Sequence, residues 1–269
     1  MLQPNFFNTV FVFPILNVLV FLYKVFLFIK IPGALGFAIV GLTVLVRLLL
    51  HPFFKHQIET AKKIQELKPH LDKLAKKHKN DKQRLQQEQL KLYQQAGVNP
   101  ASGCLFMILQ FPIFIALYNT LSLFLSNGNN GKIIDQINSV VYTPLLKIQS
   151  VNPWFFGFNL AISPAKAGQW HYYLIPLLTV ILQYFQTQAM TPQTPTETQS
   201  NLKVKTDGKI SSPKKEEDDF QKAMSTQMKI IFPIMIGWFS YSLPVGLSLY
   251  WNIFSIFSIL QYKQIKNKI

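Results

Sequence analysis

Arg47 stands in the stretch LTVLVRLLLHPFF, residues 42–54, among leucine and valine with no carboxylate beside it. A guanidinium carries a permanent charge and five N–H donors in a rigid plane, so its chemistry is the binding of carboxylates, phosphates or carbonyls. Thr43 lies one helical turn earlier on the same face. Gln110, Gln183 and the pair Tyr250 and Trp251 occur inside other uncharged runs. Taken singly, each is most simply an interhelical hydrogen-bonding group. Together with Arg47 they suggest a polar cavity open to the cytoplasm and walled by apolar side chains. Nothing points to catalysis: His51, His56, His70, His78 and His171 have no HExxH spacing, and there is no P-loop or GxSxG elbow. The single cysteine, Cys104, excludes an intrachain disulfide and a cysteine-based zinc cluster. The expectation is a non-enzymatic protein with no metal and no cofactor.

The elements that must position these groups are membrane helices. The 269 residues are about half apolar, and residues 35–54 hold only Arg47 as a charge. Residues 101–131, 167–196 and 230–262 hold no charge at all. A bilayer needs roughly 20 apolar residues per helix, and the runs lack the period-two alternation of barrel strands. The last run is too long for one span, and its YSLPVGLSLY centre supplies Pro244 and Gly246 for a turn. The expected fold is therefore all-α, with five transmembrane helices at 35–56, 100–125, 170–190, 224–243 and 245–262. An extracytoplasmic loop at 126–169 and a short basic tail at 263–269 complete this part.

The net charge of +15 is a matter of topology rather than of nucleic-acid binding. Eleven cations lie between Lys55 and Lys91, seven between Lys203 and Lys229 and three in the tail, against Lys132, Lys147 and Lys166 in the segment 126–169. Five spans put the three rich segments on one side, which the positive-inside rule makes cytoplasmic. The protein is expected in the cell membrane as a multi-pass protein, C-terminus inside and N-terminus outside.

Residues 1–34 are expected to form an apolar N-terminal helix lying in the outer interface, with a sixth span as the alternative. Pro14, Asn17 and Lys24 break the apolar run 6–29, and the last two share one helix face. Residues 57–99 should form a cytoplasmic helical hairpin. Ile64, Leu67, Leu71 and Leu74 follow a coiled-coil seam on its first arm, and Leu85 and Leu92 lie one heptad apart on the second. Asn80 to Gln83 reads as a capping box, and Pro69 predicts a kink or a delayed helix start. The hairpin is either a solvated connector or a partner-docking element. Residues 191–223, rich in Pro, Thr, Ser and blocks of like charge, read as a disordered cytoplasmic loop.

Arg47 sits eight residues from Lys55, about 12 Å inside the cytoplasmic boundary at 1.5 Å per residue. An unpaired arginine facing lipid costs at least ~2.5 kcal/mol on insertion scales, so it should face protein or a wet cavity. No Asp or Glu occurs in the five expected spans. Any counter-charge must come from outside the chain.

Four pieces in order and spacing give the chain a resemblance to the YidC/Oxa/Alb family of membrane protein insertases over roughly residues 12–263. They are LTVLVRLLLHP; IQELKPHLDKL with NDKQRLQQEQLKLYQQAGVNP; SGCLFMILQFPIFIALYNTL; and FPIMIGWFSYSLPVGLSLYWNIFSI. The resemblance implies a five-span core around a cytoplasm-facing hydrophilic groove, open to lipid, whose arginine attracts the polar or acidic translocated part of a client. Arg47, Thr43, Gln110, Tyr250 and Trp251 match the family's groove residues, and Gln183 is the polar group of the third span. The implied partners are nascent membrane proteins and the lipid bilayer, with the ribosome, a signal-recognition receptor and a Sec translocon as further candidates, and no nucleic-acid specificity. The sequence lacks the large extracytoplasmic domain of some Gram-negative members and a lipoprotein-type N-terminal cysteine, and its loop 191–223 is long. Two other functions fit the residues: a small anion transporter with Arg47 as ligand, and an assembly factor whose hairpin only recruits partners.

Overall fold

The computed structural model describes residues 3–78, 81–99, 101–125, 131–190 and 230–268, without the side chains of 68, 82, 101–110, 190 and 266–268. It is mostly helical. A π-helical turn, Asn8–Val12, leads into α1, Phe13–Phe28, where Pro14 sits in the first turn and needs no intrahelical donor. α2 runs Ala34–Leu49, α3 His51–Lys77, α4 Lys82–Gln95 and α5 Ala101–Leu125. After α6, Gly131–Val140, come a two-stranded hairpin of β1, Trp154–Phe155, and β2, Phe158–Asn159, and a single turn, α7, Pro164–Ala167. The last three helices are α8, Leu174–Met190, α9, Phe232–Ser242, and α10, Val245–Lys268. α1 packs along α2, α2 along α10, and α10 along α8, which also carries α9.

Among the described residues, Asn8–Phe28 is one helix long and apolar enough to cross a membrane. Ala34–Leu49 with His51–Leu67 passes the same test as a pair bent by 64° at Leu50. Pro52, in the first turn of α3, lacks the N–H that a continuous helix would use there. The helix expected over 35–56 thus divides at Leu50, and its lower part belongs to α3. α3 continues through Pro69 instead of starting late there, since one missing backbone bond in a long, exposed helix is tolerated. Asp81 caps α4, its Oδ1 accepting from Arg84 N at 3.0 Å. This replaces the expected Asn80 cap, because the helix begins one residue later; Asn80 itself lies outside the described residues. α3 packs against α4 as a hairpin, and Ile64, Leu67, Leu71, Leu74, Leu85 and Leu92 are all half-buried. The turn between α9 and α10 falls at Leu243 and Pro244, where Leu243 is extended. The loop 191–223 and the first residues of the span 224–243 lie outside the described residues.

The segment 131–173 is keyed into the helix ends rather than trailing from them. Asn17 donates to Val140 O at 3.1 Å and accepts from Tyr142 N at 2.7 Å. The Tyr23 hydroxyl accepts from Asn152 N at 3.1 Å, and Lys24 Nζ donates to the carbonyls of Leu145 and Lys147. Val245 N and Gly246 N donate to Ile162 O and Leu160 O at 3.1 and 2.9 Å. Thus the helix face shared by Asn17 and Lys24 supplies partners for backbone groups that would otherwise be stranded beside apolar helices.

The β1–β2 hairpin turns on Phe156 and Gly157, both at positive φ as a two-residue hairpin turn requires. Its Phe155 ring fills a notch on α2 made by two glycines. Gly33, at φ +81°, begins the helix, and a Cβ on Gly36 would overlap the ring. Phe37 closes the notch edge-on to Phe155, centroids 5.3 Å apart. Gly36→Ala should therefore destabilise the protein by about 1–3 kcal/mol through overpacking. Gly41→Ala, whose Cβ would meet Leu22 at an ordinary 3.4 Å, should be neutral or slightly stabilising. Thermal unfolding of the two variants in detergent checks the contrast.

Candidate functional site

The face of α2 and α3 that carries Arg47, His51 and Phe54 follows the i, i+4, i+7 repeat across the bend at Leu50, and so does the facing set on α10, Phe254, Ser258 and Gln261. Arg47 is 2% exposed. Its Nη2 donates to Phe254 O at 2.9 Å and to Ser258 Oγ, and its Nη1 donates to Gln261 Oε1 at 3.1 Å. Ser258 Oγ donates in turn to Phe254 O at 2.9 Å, which leaves its lone pairs for the guanidinium. The amide of Gln261 is oriented from behind, its Nε2 lying 3.3 Å from His51 Nδ1. The guanidinium also lies against the rings of Phe54 and Phe254, whose centroids lie 4.0 and 3.6 Å from Cζ and whose planes stand 72° apart.

All these partners are neutral. The cation–π contacts contribute about 0.5–2 kcal/mol each, but none supplies a counter-charge. α1, α2, α5, α8, α9 and α10 contain no Asp or Glu. Among the described residues, Arg47 Nε is buried with no acceptor. The site is thus a cation held by dipoles, with donor capacity left over.

The other residues singled out by sequence are distributed around α10. Thr43 is 1% exposed, and its hydroxyl turns back to Ile39 O at 2.7 Å, so it lies near Arg47 in the chain without bonding to it. Tyr250 is buried, its ring 6.0 Å from that of Phe254, which carries Arg47. Trp251 is half-buried on the neighbouring flank and donates through Nε1 to Gln183 Oε1 on α8 at 3.1 Å. Its ring also meets Phe114 of α5 edge-on at 5.4 Å. The centre of α10 therefore links α2, α5 and α8. The side chains of Gln110 and Cys104 lie outside those described.

Sequence reasoning passed over Ser258, Gln261 and both phenylalanines. The available signal was the matching i, i+4, i+7 repeat of Phe254, Ser258 and Gln261, three residues able to accept or stack on one face. α10 carries a further polar face in Ser248, Asn252 and Ser255. Ser248 joins Ser240 of α9 and Thr179 of α8 in a buried hydroxyl chain with steps of 2.8 and 3.0 Å. Asn252 Oδ1 and Ser255 Oγ are buried without a hydrogen-bond partner among the described residues.

The profile of the 60Kd inner membrane protein family matches residues 27–269. The membrane protein insertase YidC of Oceanobacillus iheyensis is 32% identical over 260 residues, covering 94% of this chain and 82% of that protein. The inner membrane ALBINO3-like protein 2, chloroplastic, of Chlamydomonas reinhardtii is 32% identical over 242 residues, covering 88% and 51%. The inner membrane protein ALBINO3, chloroplastic, of Arabidopsis thaliana is 29% identical over 240 residues, covering 87% and 46%. The chain spans about half the length of these two chloroplast relatives.

The Gln183–Trp251 bond joins α8 to α10 in a half-buried setting and should be measurable as a pair. A double-mutant cycle of Gln183→Leu and Trp251→Phe, read by thermal unfolding in detergent, should give a coupling of about 0.5–1.5 kcal/mol. Additive effects would show that the bond does not hold the two helices.

Proposed function

The chain belongs to the 60Kd inner membrane protein family, and from that premise we propose that it is a membrane protein insertase, working without nucleotide hydrolysis on nascent membrane proteins. The observation that carries the mechanism is Arg47: a buried cation whose hydrogen-bond partners among the described residues are all neutral, and with an unspent Nε donor. A client's hydrophobic segment slides along the apolar surface of α8 and α9. Leu177, Ile181, Phe185, Ile234 and Trp238 are exposed there. Its polar or acidic end is drawn part of the way by Arg47, within a groove that Thr43, Gln110, Gln183, Tyr250 and Trp251 line. The protein thereby lowers the cost of moving polar groups through hydrocarbon, several kcal/mol for each unsatisfied group.

In this reading the chain is a multi-pass protein with five spans, its N-terminal helix on or across the outer face and its C-terminus in the cytoplasm. The hairpin of α3 and α4 projects into the cytoplasm, where the half-buried seam keeps it a stable platform for a ribosome, a signal-recognition receptor or a Sec translocon. The charge asymmetry of the sequence supports that orientation. Neither the family match nor the geometry favours the anion-transporter alternative.

The test is insertion of a single-span client with an acidic translocated tail into proteoliposomes. Arg47→Ala should lower insertion about 10–100-fold, the worth of a hydrogen bond to a charged group. Arg47→Lys, which keeps the charge but not the planar fork, should fall between. Full activity in both variants would sink the electrostatic part of the mechanism.

A further inference from the structure

Arg47 does not wait empty-handed. Three of its N–H donors are spent on Phe254 O, Ser258 Oγ and Gln261 Oε1, and the rings of Phe54 and Phe254 lie against it. Any client group that binds the guanidinium must first displace these partners. We propose that Ser258 and Gln261 form an internal surrogate for the client, a latch between α2 and α10 that occupies Arg47 at rest and sets how strong an acceptor a client must offer. The proposal rests on the insertase reading and assigns to these two residues the regulation of the same site.

The chemistry of the latch sets the threshold. A hydroxyl, an amide oxygen and a backbone carbonyl are neutral acceptors, whereas a carboxylate can take two parallel N–H bonds from the guanidinium fork with charge on both sides. A carboxylate also brings the counter-charge that the site lacks. It therefore displaces the latch readily, and an uncharged amide or hydroxyl, which only replaces like with like, does so poorly. Gln261 is the adjustable member. Its Oε1 faces Arg47, which offers only donors, while its Nε2 lies beside His51 Nδ1.

Two opposite substitutions at the latch make the idea testable. Ser258→Ala and Gln261→Leu weaken the internal competitor, and each should tighten client binding about tenfold, the worth of one hydrogen bond to a charged group. Gln261→Glu supplies an internal carboxylate. It should raise the thermal unfolding temperature and weaken client binding at least tenfold. A merely structural role predicts loss in all three, because each removes a native contact.

Binding is read with the full chain in phosphatidylethanolamine and phosphatidylglycerol vesicles, using a dansylated apolar peptide that ends in Asp-Asp or in Asn-Asn. Insertion is read in parallel with single-span clients carrying the same two tails. The expected result is gain for Ser258→Ala and Gln261→Leu, loss for Gln261→Glu, and no gain from Ser258→Ala when Arg47→Ala is also present. Parallel loss in all three latch variants, no change in any, or gain that survives Arg47→Ala would overturn the latch. Opposite shifts in peptide binding with no insertion by the unaltered chain would sink the insertase reading and leave the latch standing.

Discussion

A single unneutralised charge inside a bundle of apolar helices is the constraint around which this molecule is arranged. A cation at that depth is tolerable only if dipoles surround it, and α10 meets the need by turning one face into a row of acceptors and a phenyl ring toward α2. The bend at Leu50 follows from the same need. It brings His51 and Phe54 back over α10, so that one ring covers the guanidinium and an imidazole orients the amide that faces it. An acid on α10 would have neutralised the guanidinium directly, and none stands there.

A second constraint acts where the segment 131–173 meets α1 and α2. The irregular segment between α6 and α8 carries backbone groups that need partners, and α1 provides them through Asn17, Tyr23 and Lys24. The notch of Gly33 and Gly36 then admits Phe155, which ties the hairpin to the same end of α2 whose other end holds Arg47. The two ends of α2 thus have different characters. The Gly33 end is packed against a hydrogen-bonded segment; the Arg47 end is held by neutral contacts.

What could be read in the sequence follows from how local each signal is. The helices of the hairpin, the turn at Pro244 and the oddity of Arg47 depend on residues close together in the chain, and periodicity or punctuation exposes them. The face shared by Asn17 and Lys24 was visible too, but not that its partners are backbone groups more than 120 residues away. Ser258 and Gln261 escaped notice because a serine and a glutamine near a helix end are unremarkable until Arg47 is placed opposite. The cap at Asp81 and the continuation through Pro69 are local matters in which two acceptable residues, or two acceptable helix starts, compete, and sequence alone does not choose between them.

Arg47 and Gln261 are 214 residues apart in the chain. At a synthesis rate of about 5–20 residues per second, the arginine leaves the ribosome roughly 10–40 s before the groups that will satisfy it. For that interval the newborn protein carries a charged, unpartnered side chain in a hydrophobic segment. It therefore begins its existence as a difficult client of the kind whose handling is proposed for it. Its own maturation sets a clock, because the site cannot close until α10 arrives.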